Sequence, residues 1–462
     1  MIFIVESQIY VSNPSKDLIE WCTKELEIPN PEYSKKLRMG FWTGDTPKVL
    51  SLYKCQKGEL ILPFGVLSLL PVTILRDAVI IDVHGVIPSI DYHANVELYE
   101  YQQDAVDAMA LRGYGILQSP AGSGKTQMGI ALAVKLGKPC LWICHTLDLV
   151  RQSKERAERY IKDESLIGMI SEGKVNISKG ITFATVQTLA KLDLREYENQ
   201  WDTVIVDECH RVSGTPTTVT QYERVLNKLN ATYKFGLSAT VHRADGLIKA
   251  TYCLLGNITY RVPQEEVADR IMKVGICPIE TQTQISRECL NTDGTLNYTN
   301  LITYLCNDEL RNEAIVDRLK SCDGHSVLIL SSRLEHLAKL MDMCPARLRR
   351  DAMMISGRMT SKKGKTEREQ ALEDMRTGKI HYLFATYALA KEGLDIPCLD
   401  RLLLVTPQKD YAVVTQSIGR IDRKCEGKTD AIVYDYVDDI DYCIRAWRKR
   451  LSIYRKNRCE IG

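Results

Sequence analysis

The chain has 462 residues, 45% of them hydrophobic and 26% charged, so it can build several globular cores, and we expect three domains. A formal net charge of +2 excludes a polycation, so any nucleic-acid surface must be a local basic patch. Short apolar runs and fifteen scattered cysteines predict a soluble, cytoplasmic protein with reduced thiols and no structural metal, for which a monomer is favoured.

Residues 1–93 differ in composition from the rest of the chain. Tyrosine and valine are common there, and prolines separate several short runs that are typical of strands. This pattern predicts a small N-terminal α+β domain.

The remaining residues show two blocks in which short apolar strands alternate with helical segments. Such alternation predicts parallel sheets with crossover helices, in one α/β domain at residues 94–265 and another at residues 266–462. The strands predicted for the first block are residues 116–117, 139–144, 180–185, 203–206 and 234–238. Those predicted for the second are residues 326–331, 381–386, 401–406 and 431–437.

A glycine-rich run, Ser119-Pro-Ala-Gly-Ser-Gly-Lys125-Thr126, lies between a predicted strand and a helix-compatible segment. This setting is typical of a phosphate-binding loop, although Ser119 stands where the strict pattern has glycine. Backbone N–H groups at such a turn bind phosphate, Lys125 would neutralise the β- and γ-phosphates, and the Thr126 hydroxyl would ligate Mg²⁺. The residues predicted to bind the nucleotide here are Ala121, Gly122, Ser123, Gly124, Lys125 and Thr126.

The strand predicted at residues 203–206 leads into Asp207-Glu208-Cys209-His210. A carboxylate at the end of a buried strand suits a Mg²⁺-holding aspartate, so we predict that Asp207 holds Mg²⁺ and that Glu208 orients the attacking water. The alternative is a glycine-rich turn followed by an ordinary acidic strand end. The two motifs together favour a nucleoside triphosphatase that uses ATP and Mg²⁺.

Seven or eight short motifs between about residues 98 and 423 stand in the order and spacing of superfamily 2 helicases, and the chain resembles that superfamily. The resemblance implies two tandem RecA-like motor domains. It also implies that Gln102 reads adenine, which an amide can do because it donates and accepts at once. The alternative is a glutamine at a helix start.

The resemblance also assigns nucleic-acid contacts and coupling residues in the first block. The runs 145–152 and 185–189 are similar to motifs that grip the nucleic-acid backbone. The implied backbone contacts are Thr146, Gln187 and Thr188, and the implied coupling residues are His210, Ser238 and Thr240.

The second block carries the remaining motifs, in the runs 330–333, 356–358, 385–397 and 416–423. Arg420 and Arg423 resemble arginine fingers, which would meet the γ-phosphate when the two domains close and so make hydrolysis depend on closure. The other implied roles are backbone contacts at Arg333, Ser356 and Thr386, nucleotide contacts at Gly393 and Asp395, and coupling at Gln416.

The branch of the superfamily is indicated by His210 and by the run from Ser238 to Gly246, which differ from typical RNA-unwinding members. They are similar to DNA-acting members such as nucleotide-excision-repair helicases, RecG-like fork remodellers and UvsW-type phage helicases, although Val241 replaces the usual proline. The stretch 30–65 resembles the front domain of the UvsW type.

This resemblance implies an ATP-dependent DNA helicase or translocase that remodels forks or Holliday-type junctions in replication, recombination or repair. Residues 1–93 would then recognise DNA or a branch point, and the alternative is a packing domain that only stabilises the motor. An RNA helicase and a nucleic-acid clamp switched by ATP are the alternatives.

Basic clusters and tryptophans offer further candidate contacts with nucleic acid. Each cluster could follow a strand or be an ordinary solvated surface, in residues 347–350, 358–365 and 445–450. Trp42 and Trp447 could stack on bases, but we expect core packing for both.

Overall fold

The computed structural model describes residues 1–56, 58–76, 78–120, 122–171, 173–240, 247–268, 271–357, 359, 362–391, 394 and 396–462. The chain divides into two compact units, Met1–Glu266 and Val267–Gly462. In the ranges just given, no helix combines the length and the apolar character needed to cross a membrane.

The front segment, residues 1–82, combines a five-stranded sheet, a two-stranded ribbon and short helices. The sheet has the order β5-β6-β2-β1-β7, and only the β1–β7 pair is parallel, so the predicted α+β character is confirmed. Its strands are β1 (Ile2–Val5), β2 (Gln8–Ser12), β3 (Glu27–Pro29), β4 (Val49–Ser51), β5 (Lys54–Gln56), β6 (Glu59–Pro63) and β7 (Val79–Asp82). Its helices are α1 (Lys16–Glu25), α2 (Pro31–Arg38) and α3 (Val72–Leu75).

The first motor domain follows in the same unit and contains an eight-stranded sheet. The strand order is β11-β10-β12-β9-β13-β14-β8-β15, and every neighbouring pair except β10–β11 is parallel. The strands are β8 (Tyr114–Gln118), β9 (Cys140–Cys144), β10 (Ile167–Ser171), β11 (Lys174–Asn176), β12 (Ile181–Thr185), β13 (Thr203–Asp207), β14 (Tyr233–Ser238) and β15 (Ile258–Arg261). The helices are α4 (Glu100–Arg112), α5 (Lys125–Leu136), α6 (Leu147–Tyr160), α7 (Val186–Leu189), α8 (Pro216–Leu226), α9 (Ile248–Leu255) and, at the boundary between the units, α10 (Glu265–Ala268).

Three central strands of this sheet, β9, β12 and β13, have every residue buried. Strands covered by helices on both faces read as continuous apolar runs, and this is why the sequence located them closely. The strands β10, β11 and β15 were not predicted, because they lie at or next to the sheet edges and have shorter or mixed patterns.

The second unit contains a seven-stranded sheet in which every pair is parallel, with the order β18-β19-β17-β20-β21-β16-β22. The two predicted parallel-sheet α/β domains are therefore confirmed. The strands are β16 (Val274–Thr281), β17 (Val327–Ser331), β18 (Ala352–Ile355), β19 (Tyr382–Thr386), β20 (Arg401–Leu404), β21 (Ala431–Asp438) and β22 (Glu460–Ile461). The helices are α11 (Tyr298–Asn307), α12 (Glu309–Lys320), α13 (Leu334–Met343), α14 (Ala346–Arg350), α15 (Lys362–Arg376), α16 (Tyr387–Lys391), α17 (Tyr411–Ile421) and α18 (Asp441–Lys456).

The predicted burial of two side chains, Arg450 and Trp42, is wrong. Arg450, in a basic cluster of the tail, is 1% exposed, and its Nε donates to Asp435 Oδ2 over 2.7 Å. Trp42, expected in the core, is 86% exposed. Trp447 is partly buried against the core of the second unit, as expected.

The front segment packs tightly against the first motor domain. One hydrophobic core contains front-segment residues such as Phe3 and Leu62 together with Leu247 and Cys253 of the motor domain. A Cβ added to Gly65 would lie 2.3 Å from the Gly256 backbone nitrogen, so the two backbones touch there. The front segment and the motor domain therefore stabilise each other.

A buried lysine joins these two parts. Lys234 on β14 is fully buried, and its Nζ donates to Ser7 O over 2.9 Å and lies 4.6 Å from the centre of the Phe64 ring. Burial lowers the pKa of Lys234 to about 7, because the charged form loses its hydration.

We expect Lys234→Met to raise the free energy of unfolding at pH 7 by about 1–3 kcal/mol, because it removes a buried charge while keeping similar volume. The folded-state pKa of Lys234 lies below its unfolded value of 10.5, so the native state releases the proton first as pH rises. The penalty is therefore complete below about pH 7 and vanishes toward pH 10.5. The advantage of the variant should shrink over that window.

Urea unfolding at several pH values between 6.5 and 10 measures this difference. Lys249→Met is the matched control, since Lys249 also contacts the front segment, at Glu25, but is solvent-exposed. A variant that is destabilised equally at every pH would show that the hydrogen bonds of Lys234 outweigh the penalty for burying its charge.

Candidate functional site

The glycine-rich loop joins β8 to α5, as the sequence predicts. Gly122 and Gly124 have φ values of 75° and 83°, a left-handed conformation that glycine adopts without strain. Gly124 caps α5, so the positive end of that helix faces the loop. A Cβ added to Gly124 would lie 2.5 Å from Gln102 Nε2, so a larger residue there would displace the Gln102 amide.

Gln102 supports this loop from α4. Its Nε2 donates to Ser123 O over 2.8 Å, and the Tyr101 hydroxyl donates to the same carbonyl over 3.0 Å. The Oε1 atom of Gln102 accepts from Tyr99 N over 3.0 Å, and the residue is 1% exposed. The adenine-reading role stays a prediction, while the contacts show Gln102 holding the phosphate loop in shape.

The polar side chains of the loop are bonded to one another. Ser119, which replaces the usual glycine, is fully buried and donates to Ser123 Oγ, so the loop accommodates its hydroxyl. Lys125 Nζ donates to Pro120 O over 3.2 Å, which keeps the amine at the loop. Thr126 is half-buried in the first turn of α5, and Ala121 lies outside the described residues.

Asp207 and Glu208 stand at the carboxyl end of β13. Asp207 Oδ2 accepts from Ser153 Oγ over 3.3 Å, and Oδ1 accepts from Glu208 N over 2.9 Å. Glu208 has a φ of 47°, a conformation that is uncommon for residues other than glycine and that often occurs at functional sites.

The two carboxylates have opposite pKa shifts. Burial and the charge of Glu208 raise the pKa of Asp207, although Lys125 opposes this. Burial would also raise the pKa of Glu208, but the hydrogen bond from His210 and the charge of Lys125 outweigh it and lower that pKa. Glu208 is therefore the more firmly ionised carboxylate.

The oxygen atoms at this site suit a magnesium ion. Mg²⁺ prefers hard oxygen ligands, and Asp207 offers a buried carboxylate while Thr126 offers a hydroxyl. A divalent cation would favour the charged form of Asp207 and offset the penalty of its burial. The residues present thus fit the ion.

The predicted coupling residues of the first domain form one connected network. His210 Nδ1 lies 3.2 Å from Glu208 Oε2 and 2.9 Å from Ser238 Oγ. Thr240 N donates to Ser238 Oγ over 3.1 Å, and this hydroxyl donates to Thr240 O over 2.9 Å. The network connects the carboxylate end of β13 to the end of β14, although residues 241–246 of the same motif lie outside the described residues.

The predicted nucleic-acid contacts of the first domain stand at the same edge of the sheet. Thr146 caps α6 directly after β9, and Gln187 and Thr188 lie in α7 directly after the neighbouring β12. Gln187 Nε2 lies 3.4 Å from His145 Nδ1, so the two motifs also touch. In open α/β sheets, ligands bind outside the carboxyl ends of the strands, and these residues share that edge with Asp207.

Three neighbouring strands of the second unit present its predicted contacts in the same way. Arg333 caps α13 just after β17, Ser356 follows β18, and Thr386 ends β19. Behind Arg333, a buried network that the sequence did not predict fixes the backbone. His336 joins Ser331 Oγ, at 3.1 Å from Nδ1, to Asn312 Oδ1, at 2.9 Å from Nε2.

The remaining predicted residues lie on and just after α17. The guanidinium of Arg420 donates to Ala390 O over 3.1 Å and to Leu394 O over 3.0 Å, so it supports the backbone at these two residues. Arg423 and Gln416 are half-buried. Gly393 and Asp395 lie outside the described residues.

Sequence reasoning missed the residues that hold these groups in place. Ser153, which donates to Asp207, lies on α6 and has no motif of its own. The one feature of the sequence that could have indicated this role is the position of Ser153, two helical turns after Thr146 on a helix that begins at the edge of the sheet. Ser153 and Asp207 are 54 residues apart, so their hydrogen bond depends on how α6 packs on the sheet, which local sequence does not determine.

Comparison with known families agrees with this geometry. Residues 95–243 match the family described as "Type III restriction enzyme, res subunit", and residues 310–425 match "Helicase conserved C-terminal domain". The chain belongs to the superfamily 2 helicases. The predicted resemblance is confirmed, and the protein is an ATP-dependent helicase that binds nucleic acid.

Two relatives are similar to most of this helicase. A putative ATP-dependent RNA helicase of Acanthamoeba polyphaga mimivirus is 27% identical, over 77% of this chain and 66% of its own length. The DNA 3'-5' translocase XPB2 of Sulfurisphaera tokodaii is 25% identical, over 71% of this chain and 79% of its own length.

A solved structure with a TM-score above 0.5 shares the fold of this chain. Dbp5 of S. cerevisiae, bound to RNA and ADP BeF3, matches 79% of this chain and 94% of its own, with 17% identity and a TM-score of 0.54. T4 UvsW matches 100% of this chain and 99% of its own, with 18% identity and a TM-score of 0.43.

Proposed function

We propose that this helicase translocates on DNA and remodels branched DNA, such as forks and Holliday-type junctions, in replication, recombination or repair. The observation that carries the proposal is His210, whose imidazole connects Glu208 to Ser238. A histidine at this place is similar to DNA-acting members of the superfamily rather than to typical RNA-unwinding ones. The relative XPB2, a DNA translocase, supports this choice, while the mimivirus relative keeps RNA as the alternative.

ATP hydrolysis in this proposal uses side chains of both units. Lys125 exchanges its contact with Pro120 O for the β- and γ-phosphates, and the low pKa of Glu208 keeps it ionised to orient the attacking water. Mg²⁺, when bound by Asp207 and Thr126, would offset phosphate charge. Arg420 would have to exchange its contacts with Ala390 O and Leu394 O before it and Arg423 could neutralise the charge that develops on the γ-phosphate.

The network of Glu208, His210, Ser238 and Thr240 is proposed to report the state of the nucleotide. Loss of phosphate beside Glu208 changes the charge facing His210, and the imidazole passes this change to β14. Gln416 has the same proposed role in the second unit.

Nucleic acid is proposed to bind through its backbone. Hydroxyl groups and backbone N–H groups at helix starts contact phosphates without reading bases, which suits an enzyme that moves along any sequence. The proposed contacts are Thr146, Gln187, Thr188, Arg333, Ser356 and Thr386.

Selectivity for a branch requires a further element, because backbone contacts do not distinguish a junction from plain duplex. The front segment is a sizeable part of the chain, and none of the residues proposed for the ATP site belongs to it. Its removal would expose Leu247 and Cys253 of the shared core, so a deletion is a poor test of its role. Surface substitutions in the intact chain are required instead.

The proposal is tested by the stimulation of ATP turnover. We expect forked DNA and four-way junctions to stimulate phosphate release more than linear duplex or single-stranded DNA of equal length, and RNA to stimulate it least. Strand separation of the same substrates is measured in parallel. Stronger stimulation by RNA than by any DNA would contradict the proposal, and stimulated turnover would exclude a clamp that uses ATP only as a switch.

A further inference from the structure

An excursion from the front segment has a surface that the motor functions do not explain. Residues 30–48, here called the Trp42 excursion, leave and return through the antiparallel ribbon β3–β4. Asn30 closes its base, since Asn30 N donates to Lys48 O over 3.0 Å and Asn30 Nδ2 donates to Pro47 O over 2.8 Å. The two ends are thus held side by side.

Internal hydrogen bonds give the Trp42 excursion a defined shape. Helix α2 forms its first half, and Phe41 N donates to Lys36 O over 2.9 Å where the chain turns back. Lys36 Nζ donates to Thr46 Oγ1 over 2.6 Å and so joins the outward and return halves. The excursion therefore presents its side chains from a structured base.

The side chains that it presents are apolar and exposed. Helix α2 buries no residue, and four large apolar side chains are exposed within six positions. They are Leu37 (63%), Met39 (53%), Phe41 (60%) and Trp42 (86%). Exposed apolar groups gathered in one place are typical of binding surfaces, whereas scattered ones are ordinary.

Trp42 is held by the backbone beneath it. A Cβ added to Gly44 would lie 2.6 Å from the indole ring, so the ring rests directly on that glycine. Gly44 has a φ of 47°, which favours glycine at this position. The indole is thus supported from one side, and most of its surface faces outward.

The charges around these apolar side chains favour nucleic acid as the binding partner of the Trp42 excursion. Residues 30–48 contain four basic side chains (Lys35, Lys36, Arg38 and Lys48) and two acidic ones (Glu32 and Asp45), which makes a net charge of +2. The whole chain of 462 residues also has a net charge of +2, so the excursion is locally far more basic. Aromatic rings among cations are the combination with which proteins bind single strands, because bases stack and phosphates pair.

We propose that the Trp42 excursion binds unpaired nucleotides of the substrate. Trp42 and Phe41 stack on exposed bases, and Lys35 and Arg38 contact the adjoining phosphates. The inference rests on the proposed function, because it names the element of the front segment that engages the open strands of a branch. No residue of the excursion belongs to the ATP site, so it acts on substrate binding and strand separation.

The test compares Trp42→Ala with the full-length wild-type chain. We expect its affinity for single-stranded DNA and for forks with unpaired arms to fall by about 5- to 100-fold, the scale of one lost stacking contact. Affinity for blunt duplex should change less than about twofold, since paired bases are not available to stack. ATP turnover without nucleic acid should be unchanged. Fluorescence anisotropy of labelled strands and a phosphate-release assay measure these quantities.

Two further variants separate stacking from a general loss of apolar surface. Trp42→Phe keeps an aromatic ring and should retain most of the affinity. Leu111→Ala, which alters a 92% exposed side chain on α4 outside the excursion, should bind like the wild type. Equal binding of single strands by Trp42→Ala and the wild type would overturn the proposal, as would equal loss in the Leu111→Ala control.

Other binding partners of the Trp42 excursion would give different results in these experiments. A concentration-dependent dimer that Trp42→Ala abolishes, with unchanged affinity for single strands, would overturn the proposal and assign the surface to a second copy of the chain.

The outcomes also distinguish this inference from the proposed function. Trp42-dependent binding of RNA in preference to DNA would uphold stacking while contradicting the choice of DNA. Preserved fork stimulation and fork affinity in Trp42→Ala would overturn stacking alone.

Discussion

Lys125→Ala is expected to abolish ATP turnover, with a fall of at least about a hundredfold in kcat/KM. The ammonium group of Lys125 stands at the glycine-rich loop, bonded to Pro120 O, where it can reach the phosphates of ATP. Alanine leaves the loop and its glycines in place but removes the cation that offsets phosphate charge. ATP binding should therefore weaken together with turnover.

Phosphate release and the binding of a fluorescent ATP analogue measure this effect. Lys135→Ala is the matched control, because Lys135 lies near the C-terminal end of the same helix. Its exposed ammonium group pairs with Asp107 and not with the loop. The control should keep normal turnover, and Lys125→Ala should still bind nucleic acid without nucleotide. Near-normal turnover in Lys125→Ala would show that the loop has been assigned wrongly.

Glu208→Gln is expected to separate ATP binding from hydrolysis. The amide keeps the shape of the side chain, and Asp207 remains in place, so ATP affinity should be preserved. The variant loses the carboxylate that is proposed to orient the attacking water, and turnover should fall by about a hundredfold or more.

Single-turnover hydrolysis and equilibrium binding of ATP measure these two quantities separately. Glu223→Gln is a suitable control, since Glu223 is a half-buried glutamate on α8 of the same domain that pairs with Lys54. A collapse of ATP affinity with unaffected turnover would mean that Glu208 binds nucleotide and has no part in activating water.

The ATP site is the part of the molecule that the sequence predicted most closely. The loop from Ser119 to Thr126 and the strand ending at Asp207 are local patterns, since glycines permit the left-handed turns and a buried strand reads as a continuous apolar run. The roles of these side chains remain predictions, but the loop lies between a strand and a helix and the acidic pair ends a strand, as expected.

The supporting contacts were not predictable in the same way. Ser153 reaches Asp207 only because α6 packs on β9 and β12, and β9 is the neighbour of β13. His336 reaches Asn312 because α12 and α13 pack together. Neither residue belongs to a local pattern. Contacts of this kind depend on the relative placement of whole elements, which many side chains set jointly.

The class of the fold and the order of the chemical groups along the chain could be derived from local sequence patterns, because periodicity and turn residues act over a few neighbouring positions. The environment of individual large or charged side chains depends instead on how distant elements pack together. Arg450 could have been a surface cation, but Asp435 on β21 pairs with it in the core. Trp42 could have been core, but its support is Gly44 within an excursion that carries it into solvent, since burial depends on what the rest of the chain places around a residue.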